Sequence, residues 1–272
     1  MSQHILEING RKVVVLEEGS GPPLLYLHGF VDVHSVKEDW LPFHHKLAKT
    51  AKVIAPAHPG CAESDDIEYL EAIDDLVFHY LEVIDALGLD QFDLVGSCVG
   101  GWIAAELATY RPDRIRRLVL IGASGLYVPG ELIGDVFMMA HAVRGTDFSE
   151  LRAMLFKDAN TPVGCEMFPD GRGDIEDELR RYKMLRFTNR FGFKPPYFYH
   201  WPLRSRLNRI TAPSLVIWGE NDQMVPAAHG RAYAEELAGS NGVQTVKGTG
   251  HSPQAEDPAA TASLVQKFLA AK

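Results

Sequence analysis

The sequence predicts an α/β protein, with a mostly parallel central sheet flanked by helices on both faces. Three observations point there. Short apolar runs alternate with stretches of helical periodicity. Most of those runs stop at a glycine-containing turn, as parallel strands do where the chain leaves the sheet. This alternation fills both ends of the 272-residue chain but is absent from a long middle stretch, which reads as an insertion.

Taken in order, His4 to Ile8 and Lys12 to Glu17 read as two strands joined at Asn9-Gly10, a strong hairpin signal. Pro23 to Leu27 is a short apolar run that ends in His28-Gly29-Phe30. Trp40 to Thr50 is expected to be a helix, and Lys52 to Ala55 a strand running into His58-Pro59-Gly60. From Asp66 to Leu87, the residues Leu70, Ile73, Val77, Tyr80, Leu81, Ile84 and Leu87 recur at helical spacing, and Gly88 ends the run. Phe92 to Val95 is the next strand, followed after a tight turn by the helical composition of Trp102 to Ala108. Arg117 to Ile121 is another strand. Helix candidates then follow one another at Glu131 to Arg144, Phe148 to Phe156 and Ile175 to Phe191. Asp147 with Glu150 suggests a cap for the second, and the third opens with acid and closes with base, as the helix dipole prefers. Regular alternation resumes with a strand at Ser214 to Trp218, a helix around His229 to Ala238, a strand at Gly242 to Lys247 and a closing helix from Pro258 to Ala271. The expected organisation is a core from residues 1–125, a helical insertion at 126–206, and the rest of the core at 207–272.

The chemistry centres on Gly96-Ser97-Cys98-Val99-Gly100, between a strand and a helix. Glycines two before and two after an apex residue let neighbouring backbone pass close, and the apex side chain then projects above the sheet. Cys98 would also sit at a helix N-terminus, an environment that favours the thiolate, the attacking form of a cysteine. Ser97 is the rival nucleophile, one residue from the apex. Two later strand ends bring Asp222, in Gly219-Glu220-Asn221-Asp222, and His251, in Gly248-Thr249-Gly250-His251. Ligands of an open parallel sheet bind beyond the carboxyl ends of its strands. A nucleophile, then a carboxylate, then a histidine is therefore a workable triad.

At this point the chain resembles the α/β-hydrolase family, in the branch that carries a helical cap. The matching stretches are His28-Gly29-Phe30, the turn around Cys98, Trp218-Gly219-Glu220-Asn221-Asp222-Gln223-Met224-Val225-Pro226, and Gly250-His251-Ser252-Pro253 with Glu256 and Pro258. The resemblance covers nearly the whole chain and is weakest in the insertion. It implies that the backbone N–H groups of Phe30 and Val99 form an oxyanion hole. It also implies that His251 moves the proton while Asp222 orients its ring. Cysteine replaces the usual serine, as it does in dienelactone hydrolases and polyhydroxyalkanoate synthases, although the former lack such a cap and the latter are longer. His28 and His58 are expected to order loops by hydrogen bonding, and Cys61 and Cys165 to be free thiols.

A thiolate attacks activated carbonyls and leaves a thioester. The expected activity is therefore hydrolysis of carboxylic esters, lactones or thioesters through an acyl-cysteine. Acyl transfer from the same intermediate, C–C bond hydrolysis and ligand reception on the same scaffold are the alternatives. Tyr127, Phe137, Met138, Tyr197 and Trp201 are candidate pocket residues, with Met139, Phe156 and Phe198 as further possibilities, suggesting a hydrophobic acyl substrate. A net charge of −9 without a basic stripe argues against nucleic acid. No apolar run is long enough to span a membrane, and the first residues lack the apolar core of a signal peptide. Three scattered cysteines suit a reduced, cytoplasmic protein. No glycine pattern suggests a nucleotide cofactor, and no cysteine spacing suggests a zinc site.

Overall fold

Eight strands form one sheet, in the order β1-β2-β4-β3-β5-β6-β7-β8. The structure, a computed structural model, describes residues 1–37, 39–136, 147–171, 174–192 and 197–271. The strands are β1 (Ser2–Ile8), β2 (Arg11–Glu18), β3 (Pro23–Leu27), β4 (Lys52–Pro56), β5 (Phe92–Ser97), β6 (Ile115–Ile121), β7 (Ser214–Gly219) and β8 (Ser240–Val246). The β1–β2 hairpin turns at Asn9-Gly10, both at positive φ, and pairs antiparallel, as β2 does with β4. All other pairings are parallel. Strands β3, β5 and β7 are almost wholly buried. Their continuous apolar runs, rather than alternating ones, follow from helices covering both faces.

Among the described residues the α-helices are α1 (Pro42–Leu47), α2 (Ile73–Ala86), α3 (Cys98–Tyr110), α4 (Ser149–Leu155), α5 (Pro162–Met167), α6 (Ile175–Gly192), α7 (Leu203–Arg206), α8 (Ala227–Glu236), α9 (Pro253–Glu256) and α10 (Pro258–Ala270). After β3 the chain steps to β4 on one side, then crosses to β5 on the other. The order of strands thus reverses at β3, and ligands of open parallel sheets bind at such a reversal, beyond the carboxyl ends of the strands.

Several elements differ from expectation. The helix expected from Asp66 begins only at Ile73. Asp75 turns back to accept the N–H groups of Glu71 and Ala72, and Asp66 is engaged by Arg186 and Arg190. Residues 131–135 are not helical, and the rest of the helix expected from Glu131 to Arg144 lies largely outside the described residues, as do Phe137, Met138 and Met139. Helix α5 lay outside the sequence expectation altogether; Thr161 caps it through Gly164 N–H at 3.2 Å.

Polar contacts help fasten the helical stretch between β6 and β7 to the core. Arg190 reaches both carboxylate oxygens of Asp66 at 2.8 Å and the Ile67 carbonyl at 2.8 Å. Within the stretch, buried Arg152 binds the carbonyls of Ala159 and Phe168 as well as Asp170. Glu256 accepts Lys157 N–H and Gly250 N–H, both at 2.7 Å, tying this stretch to the loop that carries His251. Among the described residues no helix is long and apolar enough to cross a membrane.

Candidate active site

Three of the predicted residues meet at the carboxyl edge of the sheet. Cys98 occupies the turn from β5 into α3 with φ +51°, a left-handed conformation that costs a non-glycine residue free energy. The flanking glycines permit it. A Cβ on Gly96 would strike the Gly100 backbone, and one on Gly100 would strike the Leu27 and His28 carbonyls. The loop after β3 presses equally close: a Cβ on Gly29 would lie 2.8 Å from Cys98 Cβ.

Asp222 follows β7. Its Oδ1 accepts the N–H groups of Met224 (2.9 Å) and Val225 (2.8 Å), which fixes the carboxylate in its turn. Its Oδ2 stands 2.9 Å from His251 Nδ1, and both side chains are buried. Asp222 is therefore a turn residue and the histidine's partner at once. Burial alone would lower the His251 pKa. The Asp222 carboxylate, and after it Cys98, outweigh burial and hold the imidazole well above its ordinary value. Cys98 is the next influence on the ring after Asp222. His251 Nε2 is buried and has no hydrogen-bond partner among the described residues, which leaves it open to a reacting group.

Val99 is the second residue of α3, so its N–H has no acceptor within the helix. Among the described residues no hydrogen bond takes up the Phe30 N–H, and the Phe30 ring stacks on Phe168 at 5.5 Å. Ser97 does not compete with Cys98 in this arrangement, because its hydroxyl is given to Asp32.

Asp32 is the residue that sequence reasoning missed. It is fully buried and is surrounded by donors: Tyr26 Oη at 2.6 Å, Gly29 N at 3.2 Å, Val33 N at 2.9 Å and the Ser97 hydroxyl. His44 Nε2 lies 3.0 Å from its Oδ1. Burial opposes ionisation, yet His44, Ser97 and Tyr26 together hold the carboxyl below its ordinary pKa. The signal was present in Phe30-Val31-Asp32-Val33, an acid inside an apolar run. Such an acid is either exposed or satisfied by partners.

His28 and His58 brace the adjoining loops. His58 N–H donates to His28 Nε2 at 3.0 Å, and His58 Nε2 contacts the His28 carbonyl oxygen at 2.8 Å. Burial pushes the pKa of His28 well down, His58 to about 3, and His34 and His79 to about 4. These groups stay neutral in the folded chain but bind protons near pH 6.5 when it unfolds. Stability should therefore fall as pH drops from about 6.5 towards 4, on the order of 1 kcal/mol per histidine per pH unit. His251 works in the opposite sense: its contribution is complete below about pH 6.5 and is lost as pH rises through its higher folded value. Denaturant titrations at pH 7 and pH 5 should show the histidine cluster winning, with a lower midpoint at pH 5. Equal midpoints would contradict it.

Of the pocket candidates, Tyr127 and Tyr197 line a cavity of about 390 Å³, together with Leu126, Leu132, Phe198 and His229. Trp201 is exposed and packs on Tyr127 with ring centroids 4.6 Å apart, outside that lining. Neither Cys98 nor His251 borders this cavity. Phe156 is buried against Gly164 and Gly250. Cys61, Cys98 and Cys165 are all free, and burial holds the Cys61 thiol far above its usual pKa.

A mostly parallel sheet with an apex residue in a strand-to-helix turn, facing a histidine backed by a carboxylate, has the architecture of an enzyme of hydrolytic type. The chain belongs to the alpha/beta hydrolase fold family, which matches it over residues 22–258. It is 31% identical to the 2-hydroxymuconate semialdehyde hydrolase of Pseudomonas sp. (strain CF600), over 93% of this chain and 89% of that protein. It is 27% identical to monoacylglycerol lipase abhd6-B of Xenopus laevis, over 92% and 76% of the two chains. Among solved structures, a meta-cleavage product hydrolase from Pseudomonas fluorescens IP01 superposes with a TM-score of 0.77 at 21% identity, covering 98% of this chain and 97% of that one. The sheet and its flanking helices match that fold.

Proposed function

We propose that this hydrolase cleaves carboxylic esters, thioesters or lactones through a covalent acyl-Cys98 intermediate. The observation that carries the reading is Cys98 at φ +51° beside a buried His251 whose Nδ1 is held 2.9 Å from Asp222. The Cys98 sulfur attacks the acyl carbon while the backbone N–H groups of Phe30 and Val99 receive the developing oxyanion. His251, kept in its charged form by Asp222, gives its proton to the departing oxygen or sulfur. The neutral imidazole then takes a proton from water, whose oxygen attacks the thioester, and returns that proton to the Cys98 sulfur as the acid leaves. Asp222 orients the ring throughout and is not itself protonated. The helical stretch at 126–206 serves as a cap over the substrate, and its apolar and aromatic side chains suit a hydrophobic acyl group. A cytoplasmic location accords with the free thiols.

The identity to a 2-hydroxymuconate semialdehyde hydrolase supports a second reading, C–C bond hydrolysis of such a semialdehyde by the same site. One experiment separates the two. The protein is incubated with aryl and alkyl esters, acyl thioesters, a lactone and 2-hydroxymuconate semialdehyde, and products and intact protein mass are followed. Ester or thioester turnover with an acyl mass on Cys98 is the expected result. Turnover of the semialdehyde alone would replace the first reading with the second. Transfer of the acyl group to an added alcohol faster than to water would make the enzyme an acyltransferase.

A further inference from the structure

A second group of reactive side chains lies away from Cys98. Asp74 in the first turn of α2, Glu106 in α3 and His200 just before α7 each offer one ligand atom, and these atoms all lie within 4.8 Å of one another. Glu106 is eight residues along α3 from Cys98, about 12 Å along the helix axis. Its side chain is 0% exposed. Oε1 accepts Trp102 Nε1–H at 3.2 Å and pairs with His200 Nδ1 at 2.7 Å. Oε2 is buried and has no hydrogen-bond partner. A wholly buried carboxylate with an unsatisfied oxygen is costly unless something occupies it.

The surroundings have the character of a ligand set. Tyr110 Oη donates to Asp74 Oδ1 at 2.9 Å, and Trp102 donates to Glu106, so both carboxylates are oriented from behind as metal-binding carboxylates usually are. Two carboxylates and one imidazole leave negative charge in excess. Arg206 acts electrostatically on Tyr110 but makes no ion pair with either carboxylate among the described residues. Oxygen donors with one imidazole suit a divalent cation of the manganese or zinc kind.

We propose that Asp74, Glu106 and His200 bind a divalent transition-metal ion at a site separate from Cys98. The ion would join α2 and α3 to the point where the chain returns from the helical stretch. That point is already stitched to the sheet: Gly125 N–H donates to the Phe198 carbonyl at 3.0 Å, and His200 N–H to the Gly125 carbonyl at 2.9 Å. Binding there would stiffen the junction between the core and the helices above it.

Mn²⁺ is the probe, because thiolates bind it poorly and the Cys98–His251 pair will not mimic the site. The full-length chain, stripped of metal, is titrated with Mn²⁺ and followed by electron paramagnetic resonance and thermal unfolding. One ion per chain and a higher melting temperature are expected. Glu106→Gln and His200→Ala should each weaken binding by about tenfold or more, and Cys98→Ser should not change it. Should Glu106→Gln fail to fold, His200→Ala decides alone, its side chain being partly exposed. Absence of stoichiometric Mn²⁺ at millimolar concentration, or unchanged affinity in His200→Ala, would overturn the assignment.

Discussion

Cys98→Ala is expected to lower turnover of any ester or thioester substrate by about 10⁴-fold or more while leaving the fold intact. The two halves of this expectation have separate physical origins. Folding should survive because alanine keeps the Cβ, and with it the same strain at φ +51°, while removing one buried sulfur from a turn held by backbone contacts. Catalysis should not survive, because alanine leaves no nucleophile at the apex. Ser97, the nearest hydroxyl, is hydrogen-bonded to Asp32 and points away from the apex. Cys98→Ser is the informative companion. It keeps a nucleophile but removes the readily ionised sulfur, so it should retain weak turnover with an oxyester acyl-enzyme in place of a thioester. Asp222→Asn should lower turnover as well, and should move the alkaline limb of the rate profile to lower pH. The carboxylate is the leading influence that raises the His251 pKa against burial, so without it the imidazolium loses its proton sooner. Steady-state rates, circular dichroism and intact mass on the three variants check this. Near-normal turnover by Cys98→Ala would remove Cys98 from the chemistry altogether.

The parts of this molecule legible in the sequence are those whose causes are local. A strand that must be buried on both faces declares itself by a continuous apolar run, as Leu94-Val95 and Leu215-Val216-Ile217 do. A turn that must pass under neighbouring backbone declares itself by glycines at fixed offsets, as Gly96 and Gly100 do around Cys98. Asp222 and His251 were legible because each closes a strand-end turn with its own local chemistry, Asp222 binding the two N–H groups that follow it. What the sequence hid was assembled across long separations. Asp32 draws on Tyr26, His44 and Ser97, the last of them 65 residues away. The trio Asp74, Glu106 and His200 comes from two helices and a returning segment. Helix α2 starts late for the same reason: Asp66 is claimed by arginines more than 100 residues on, a competition that periodicity does not register.

Asp32→Ala is expected to destabilise the protein by about 3–5 kcal/mol, the usual cost of removing one partner from a buried ionic network. The carboxylate satisfies two backbone N–H groups and two hydroxyls and faces His44, all buried; deleting it strands every one of them. Asp32→Asn is the gentler change. It keeps the volume and one acceptor oxygen but turns the other position into a donor, so it should cost less stability and still fold. Its effect on catalysis is the sharper readout. Asp32 holds Ser97 on one side and Gly29 N–H on the other, and those residues adjoin Cys98 and Phe30, the proposed nucleophile and oxyanion donor. A loosened tie lets the two halves of the site drift apart, and misplacement on the ångström scale can cost turnover about 100-fold. Asp32→Asn should therefore lower kcat at nearly constant KM, measured well below its own melting temperature. The alkaline limb of its pH profile should stay where it is, because His251 takes its charge from Asp222 and Cys98. A variant that loses stability yet keeps wild-type kcat would reduce Asp32 to a packing residue. One that shifts the pH profile would mean that its carboxylate acts electrostatically on the triad.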